Sequence, residues 1–152
     1  RVQANMNVVS ADLQTNRIII SRNSPVPIFL FDDDKVDCLS TPSEPIGGRE
    51  NVKPSIIELQ IEPDMAIVAF SDGVFNAGKN QSQEVDICTV IESLIYDQNL
   101  SARQIAESLL SRAIRLDNDR PKDNMSVIVM MISHLSTDSI RRINVSLSLD
   151  GD

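Results

Sequence analysis

Two short segments hold the residues best suited to chemistry: Ser71-Asp72-Gly73-Val74-Phe75-Asn76 and Lys122-Asp123-Asn124-Met125-Ser126. The first follows an apolar run at residues 66–70, and the second precedes another at residues 127–132. Both runs have the length and composition of strands, and without clear polar alternation they read as strands buried on both faces. Each segment thus places one aspartate at the end of a core strand. If the two strands are neighbours, Asp72 and Asp123 converge at one rim, where Gly73 lets the backbone come close to whatever they hold. Paired carboxylates on rigid elements are what a hard divalent cation such as Mg2+ or Mn2+ requires. Taken singly, Asp-Gly is a common turn signal and Asp-Asn before a strand is an ordinary turn or cap. Their joint occurrence is less ordinary.

The elements that must carry these segments follow from periodicity. Residues 7–13 and 17–21 flank Gln14-Thr15-Asn16, a polar connector of hairpin length. Residues 28–31 and 36–39 flank Asp32-Asp33-Asp34, which reads as a solvated hairpin turn rather than a metal cluster. Residues 56–61 alternate weakly and lead through Glu62-Pro63-Asp64 into the strand before Asp72, which predicts a meander of antiparallel strands. Two helices follow. Ile87, Val90, Ile91, Leu94 and Ile95 form an apolar stripe at helical spacing. In the second helix Ser101 and Gln104 form a capping-box pattern, with Ile105, Leu109, Ala113 and Leu116 on the buried face. Residues 126–132 then return to the sheet. In the tail, residues 143–149 alternate strictly and read as one more strand. Val145, Leu147 and Leu149 share its face, and such a strand tends to recruit a partner, either the domain's own sheet or a second protomer. His134, the only histidine, reads as a surface residue at a strand end.

Composition narrows the class. At 152 residues, 41% hydrophobic and 24% charged, the chain supports one core, and no apolar stretch approaches the roughly 18 residues of a membrane span. No signal segment opens the chain, and an N-terminal arginine suggests an excised or trimmed start. Cys38 and Cys88 stand apart without ligand spacing, so reduced thiols in a cytoplasmic protein are expected, with a bridge open only if the fold brings them together. A net charge of −8, with 14 basic residues scattered among 22 acidic ones, argues against nucleic acid as a partner.

Arg120-Pro121-Lys122-Asp123-Asn124-Met125-Ser126-Val127-Ile128-Val129, together with Ser71-Asp72-Gly73-Val74-Phe75-Asn76 about fifty residues earlier, resembles the two downstream signatures of the metal-dependent PPM protein phosphatases. Within that family the chain is most similar to the bacterial SpoIIE-like branch. Ser24-Pro25-Val26-Pro27-Ile28-Phe29-Leu30 resembles its Ala-Gly-His-x-Pro-Pro-Leu-Leu strand, with Arg22 and Asn23 where the family usually has Gly and His. Glu44-Pro45-Ile46-Gly47 resembles its Leu-Pro-Leu-Gly turn. The likeness covers most of residues 7–133, and the family's upstream Asp-Gly-x-Gly metal-binding strand has no counterpart among the 152 residues.

The resemblance implies an α+β fold, an antiparallel β-sandwich flanked by helices, here without its N-terminal strands. Residues 1–133 would be the downstream part of the domain and 134–152 a C-terminal extension. It further implies hydrolysis of phosphoserine or phosphothreonine on a protein, assisted by two divalent cations, Mn2+ or Mg2+, that lower the pKa of water and neutralise phosphate oxygens. Asp72 and Asp123 would be metal ligands. Gly73 would permit close backbone approach, and Asn124 would orient Asp123 or cap the following strand. In this branch the substrate is often a small phosphorylated anti-anti-sigma (STAS) protein, which makes such a protein the leading candidate. Without the upstream ligands, this chain alone is expected to be inactive. The alternative is a metal-free pseudophosphatase or interaction module of the same fold. An unrelated metal-binding α+β domain would leave a match over ten successive positions to chance.

Overall fold

Asp12 closes the first hairpin. Its Oδ1 accepts the backbone N–H groups of Gln14 at 2.8 Å and Thr15 at 3.3 Å, and Asn16 takes the left-handed conformation at φ 53° that a tight connector needs. The strands so joined are β1 (Met6–Asp12) and β2 (Arg17–Asn23), paired antiparallel from Met6↔Asn23 to Asp12↔Arg17. This is a computed structural model that describes residues 2–32, 35–41, 43–79, 87–95 and 100–132, and for Ile87, Cys88 and Ile95 the backbone alone. The strand expected at residues 143–149, His134 and two aspartates of the run, Asp33 and Asp34, lie outside the described residues.

A second hairpin joins β3 (Ile28–Asp32) to β4 (Lys35–Leu39), from Ile28↔Leu39 to Asp32↔Lys35. The chain then crosses to the first sheet as β5 (Ser55–Gln60), pairing with β2, and crosses back as β6 (Ala66–Phe70), pairing with β3. After α1 (Asp72–Phe75), α2 (Ile87–Ile95) and α3 (Ala102–Leu116), β7 (Val127–Met131) returns beside β6. The sheets are ordered β1-β2-β5 and β4-β3-β6-β7. This corrects the expected meander, because the chain changes sheet between β2 and β3, between β4 and β5 and between β5 and β6. The choice is made by burial: Ile18 and Ile20 of β2 pack in one cluster with Ile28 and Leu30 of β3 and Ile67 of β6, so β2 and β3 face each other instead of pairing.

The opposite face of the second sheet packs on helices, where Phe29, Val68 and Phe70 meet Ile91, Ile105, Leu109 and Ala113. Both faces of β3 and β6 are therefore covered, which explains their unbroken apolar runs. The strand β7 departs from expectation. Among the described residues it lies at the sheet edge and leaves Ile128 70% exposed, so it is not buried on both faces. The α3 start follows the predicted capping box: Ser101 Oγ accepts from Gln104 N–H, and Gln104 Oε1 accepts from Ser101 N–H at 2.9 Å. At the other end of α3, Asp117 Oδ1 accepts the Gly78 N–H at 2.9 Å, tying the helix to the turn after α1. Cys38 is a free, exposed thiol.

Candidate metal centre

Because β6 and β7 run antiparallel with Phe70 opposite Val127, the end of one and the start of the other share a rim. Ser71 extends that pairing by one step. Its N–H donates to the Ser126 carbonyl at 2.9 Å, while its Oγ accepts the Ser126 N–H at 3.0 Å and donates to the Asn124 carbonyl at 2.9 Å. Ser71 is still extended (φ −73°, ψ 165°), and the chain coils into α1 directly after it. Val74 is buried and the Phe75 ring stacks on Phe70 at 6.3 Å, which sets the direction in which α1 leaves the strand.

Gly73 then decides how closely the two motifs meet. A Cβ built there would fall far inside van der Waals contact of the Asn124 carbonyl oxygen, and close to the Asp123 carbonyl carbon as well. Its missing side chain admits the Asp123-Asn124 backbone, so the close approach is between the two segments themselves. Asp72 and Asp123 thus belong to two abutting turns, as the neighbouring-strand expectation requires.

The carboxylates are held differently. Asp72 is half-buried; its Oδ1 accepts the Gly73 N–H at 3.1 Å and its Oδ2 accepts from Asn5 Nδ2 at 3.1 Å. Asp123 is exposed, with Oδ1 accepting the Asn124 N–H at 2.8 Å and Oδ2 without a hydrogen-bond partner among the described residues. Asn124 touches both segments through its main chain, its N–H donating to Asp123 Oδ1 and its carbonyl accepting from Ser71 Oγ. Asp32 lies elsewhere: Phe31 pairs with Ala66, so Asp32 sits at the opposite end of β6 from Asp72. Among the described residues no group of three or more His, Cys, Asp or Glu is arranged to hold a metal ion. Two carboxylates with spare lone pairs suit the chemistry of a hard cation, but two alone do not complete the ligand set of such an ion.

Sequence reasoning missed Asn5, which reaches Asp72 across 67 positions, and it assigned no role to Ser71. It also missed Arg22, which is fully buried at the end of β2. Arg22 Nη1 donates to the Thr41 carbonyl at 3.2 Å, and Nη2 donates to the carbonyls of Ser24 at 3.3 Å and Val26 at 3.0 Å, so one guanidinium fastens the connection into β3. Burial pushes its pKa below the ordinary arginine value. Its Nε and the Oδ1 of Asn7, which stand on directly opposed residues of β2 and β1, are both buried without a partner among the described residues.

The model of the family described as stage II sporulation protein E (SpoIIE) matches residues 3–133. The chain belongs to this family of PP2C-type, or PPM, phosphatase domains. Stage II sporulation protein E of Priestia megaterium is 24% identical over 130 residues, which are 85% of this chain and 22% of that protein. The phosphatase domain of Bacillus subtilis SpoIIE shares the fold with a TM-score of 0.69 at 18% identity, over 91% of this chain and 62% of that one. The catalytic domain of the serine/threonine phosphatase PstP in complex with two manganese ions matches with a TM-score of 0.63 at 16% identity, over 85% of this chain and 59% of its own. This chain therefore spans about a fifth of the sporulation protein and about three fifths of each solved domain. Among the described residues no helix is long and apolar enough to cross a membrane.

Proposed function

We propose that this chain contributes residues 1–133 as the downstream part of a cytoplasmic, metal-dependent protein serine/threonine phosphatase, with residues 134–152 as a C-terminal extension. The observation that carries the proposal is the docking of the Asp72 turn on the Asp123 turn through Gly73 and Ser71. Membership of the SpoIIE family supports the same activity, and the two manganese ions of the PstP catalytic domain support the choice of cation. Asp72 and Asp123 would each offer carboxylate oxygens to a two-ion site for Mn2+ or Mg2+, with the remaining ligands outside these 152 residues. Bound cations supply Lewis-acid charge, which makes water a nucleophile near neutral pH and offsets charge on the phosphate oxygens. The protein's own contribution is placement: Gly73 N–H and Asn5 hold one carboxylate, Asn124 N–H holds the other, and Ser71 fixes the spacing of the two turns. Two carboxylates fill only a few of the roughly twelve ligand positions around two such ions. The isolated chain is accordingly expected to bind Mn2+ weakly and to lack turnover.

The proposed substrate is a phosphoserine or phosphothreonine on a regulatory protein, with a small anti-anti-sigma (STAS) protein as the leading candidate. The deciding assay follows phosphate release from a phosphorylated STAS protein by the full-length protein, with Mn2+ and with chelator. Metal-dependent release supports the proposal. A folded protein that binds the phosphoprotein without releasing phosphate would make it a pseudophosphatase instead. Turnover by the isolated 152-residue chain would show that its ligand set is complete and that a ligand has been misplaced here.

A further inference from the structure

The turn Glu44-Pro45-Ile46-Gly47 lies in the connection between β4 and β5. The turn cradles the N-terminal segment. Ile46 and Ala4 exchange two backbone hydrogen bonds, each at 2.9 Å. Gly47 stands at φ 88°, and a Cβ there would fall deep inside contact of the Val2 carbonyl oxygen; a Cβ at Gly48 would lie 2.8 Å from Gln3 Nε2. The main chain at Val2 thus lies flush on the turn because Gly47 leaves room for it, and Gly48 leaves room for the Gln3 side chain.

The residue delivered by this packing is Asn5. Ala4 on one side is fixed to Ile46, and Met6 on the other is fixed to Asn23 as the first pair of β1 and β2. Between these anchors the Asn5 side chain donates from Nδ2 to Asp72 Oδ2 at 3.1 Å, while Gly73 N–H donates to Oδ1 at 3.1 Å. Each oxygen of Asp72 then accepts one N–H and keeps lone-pair capacity for a second partner. Rotation of the carboxylate is opposed from both ends. The donor is a neutral amide, so it orients the carboxylate without neutralising the charge that would face a cation, as a lysine or arginine in its place would do.

We propose that Asn5 is a positioning residue that presents Asp72 to a divalent cation, and that the Pro45–Gly48 turn positions Asn5. This rests on the assignment of Asp72 as a metal ligand made above. The test is Mn2+ titration of the full-length protein by calorimetry, comparing wild type with Asn5→Leu, Asn5→Gln, Gly47→Ala and Asp72→Asn, together with amide spectra of the metal-free proteins. Asn5→Leu keeps the size and removes the donor, and it should weaken Mn2+ binding by about 10–100-fold. It should also raise the Mn2+ concentration for half-maximal activity by the same factor. Asn5→Gln, which keeps an amide on a longer arm, should recover part of the loss. Gly47→Ala should weaken binding as Asn5→Leu does, because it displaces the segment that carries Asn5. In the metal-free spectra Asn5→Leu should move the Gly73 amide resonance while most of the spectrum stays in place. If Asn5→Leu binds Mn2+ like wild type while Asp72→Asn does not, the positioning role is wrong and the metal assignment stands. A lowered melting temperature with unchanged Mn2+ affinity would likewise overturn the positioning role. If Asp72→Asn itself binds Mn2+ like wild type, the metal assignment fails and this proposal falls with it.

Discussion

Asp72 and Asp123 sit on abutting turns at one rim, yet the fold treats them unequally. Asp72 is half-buried and clamped by one donor on each oxygen, one of them from the far N-terminal segment. Asp123 is exposed and held through Oδ1 by the next residue's own N–H. The first carboxylate is oriented by tertiary structure, and the second by a local turn that is fixed to the first through Ser71 and Gly73. On the proposal that the two carboxylates share cations, their spacing rests on the turns that carry them staying together.

The largest effect should come from the carboxylates themselves. In the full-length protein Asp72→Asn and Asp123→Asn should each lower phosphatase turnover by orders of magnitude with folding preserved, since a neutral amide is a poorer ligand and leaves the cations under-neutralised. Asp32→Asn, at the opposite end of β6, should be close to wild type. A silent Asp123→Asn beside a disabled Asp72→Asn would turn the difference in anchoring into a difference in role. Equal effects at all three positions would remove the case for a site.

Next is the contact between the turns. Gly73→Ala pushes a methyl group into the Asn124 carbonyl, and overpacking of this kind costs about 1–3 kcal/mol in denaturant unfolding. It should also weaken Mn2+ binding, because the two carboxylates are forced apart. Loss of stability with unchanged Mn2+ affinity would show that the spacing of the turns is not what holds the pair together.

Ser101→Ala is a control of smaller size. It removes the capping box of α3, whose far end is tied to the turn after α1, and should cost about 1 kcal/mol of stability. Mn2+ affinity should not change. If it does, the placement of α1 depends on α3 more than the contacts at Ser71 and Gly73 suggest.

The smallest effect is at Asp12, a carboxylate held by N–H groups of its own turn much as Asp123 is. The Gln14 N–H, followed by contacts from Thr15, lowers its pKa below the ordinary 3.8. A carboxylate with a depressed folded-state pKa stabilises the fold above its unfolded value and loses that contribution as the pH falls through the folded one. The melting temperature of wild type should therefore exceed that of Asp12→Asn slightly at neutral pH, and the difference should shrink as the pH falls below 3.8. A constant difference across that range would mean that the turn does not depend on the charge.

The meeting of the Asp72 and Asp123 segments at one rim was legible in the sequence because its signals are local. A strand-length apolar run followed by Asp-Gly, and Asp-Asn followed by another, place the two aspartates at strand ends. The capping box of α3 and the hairpin around Asp12 are equally short-range, and both formed as read. The position of β7 at a sheet edge was not legible, because residues 127–131 are as apolar as a central strand and composition does not say how many neighbours a strand has. Nor was the crossing between two sheets, since weak alternation in β5 does not name its partner.

What the sequence determined by itself was the supply of groups: two aspartates, a glycine and a serine at the ends of strands, in a chain whose periodicity gives antiparallel strands and two helices. Tertiary structure alone decided which of them meet. Asn5 has no pattern that marks it, because its partner lies 67 residues away and its direction is fixed by Ala4 on Ile46 and Met6 on Asn23. Gly73 looked free for a ligand and instead receives the Asn124 carbonyl, while Arg22 became a buried clamp on three carbonyls. Periodicity reports which face of an element is apolar, whereas these contacts depend on the register between elements distant in sequence, and register is settled only when the faces pack.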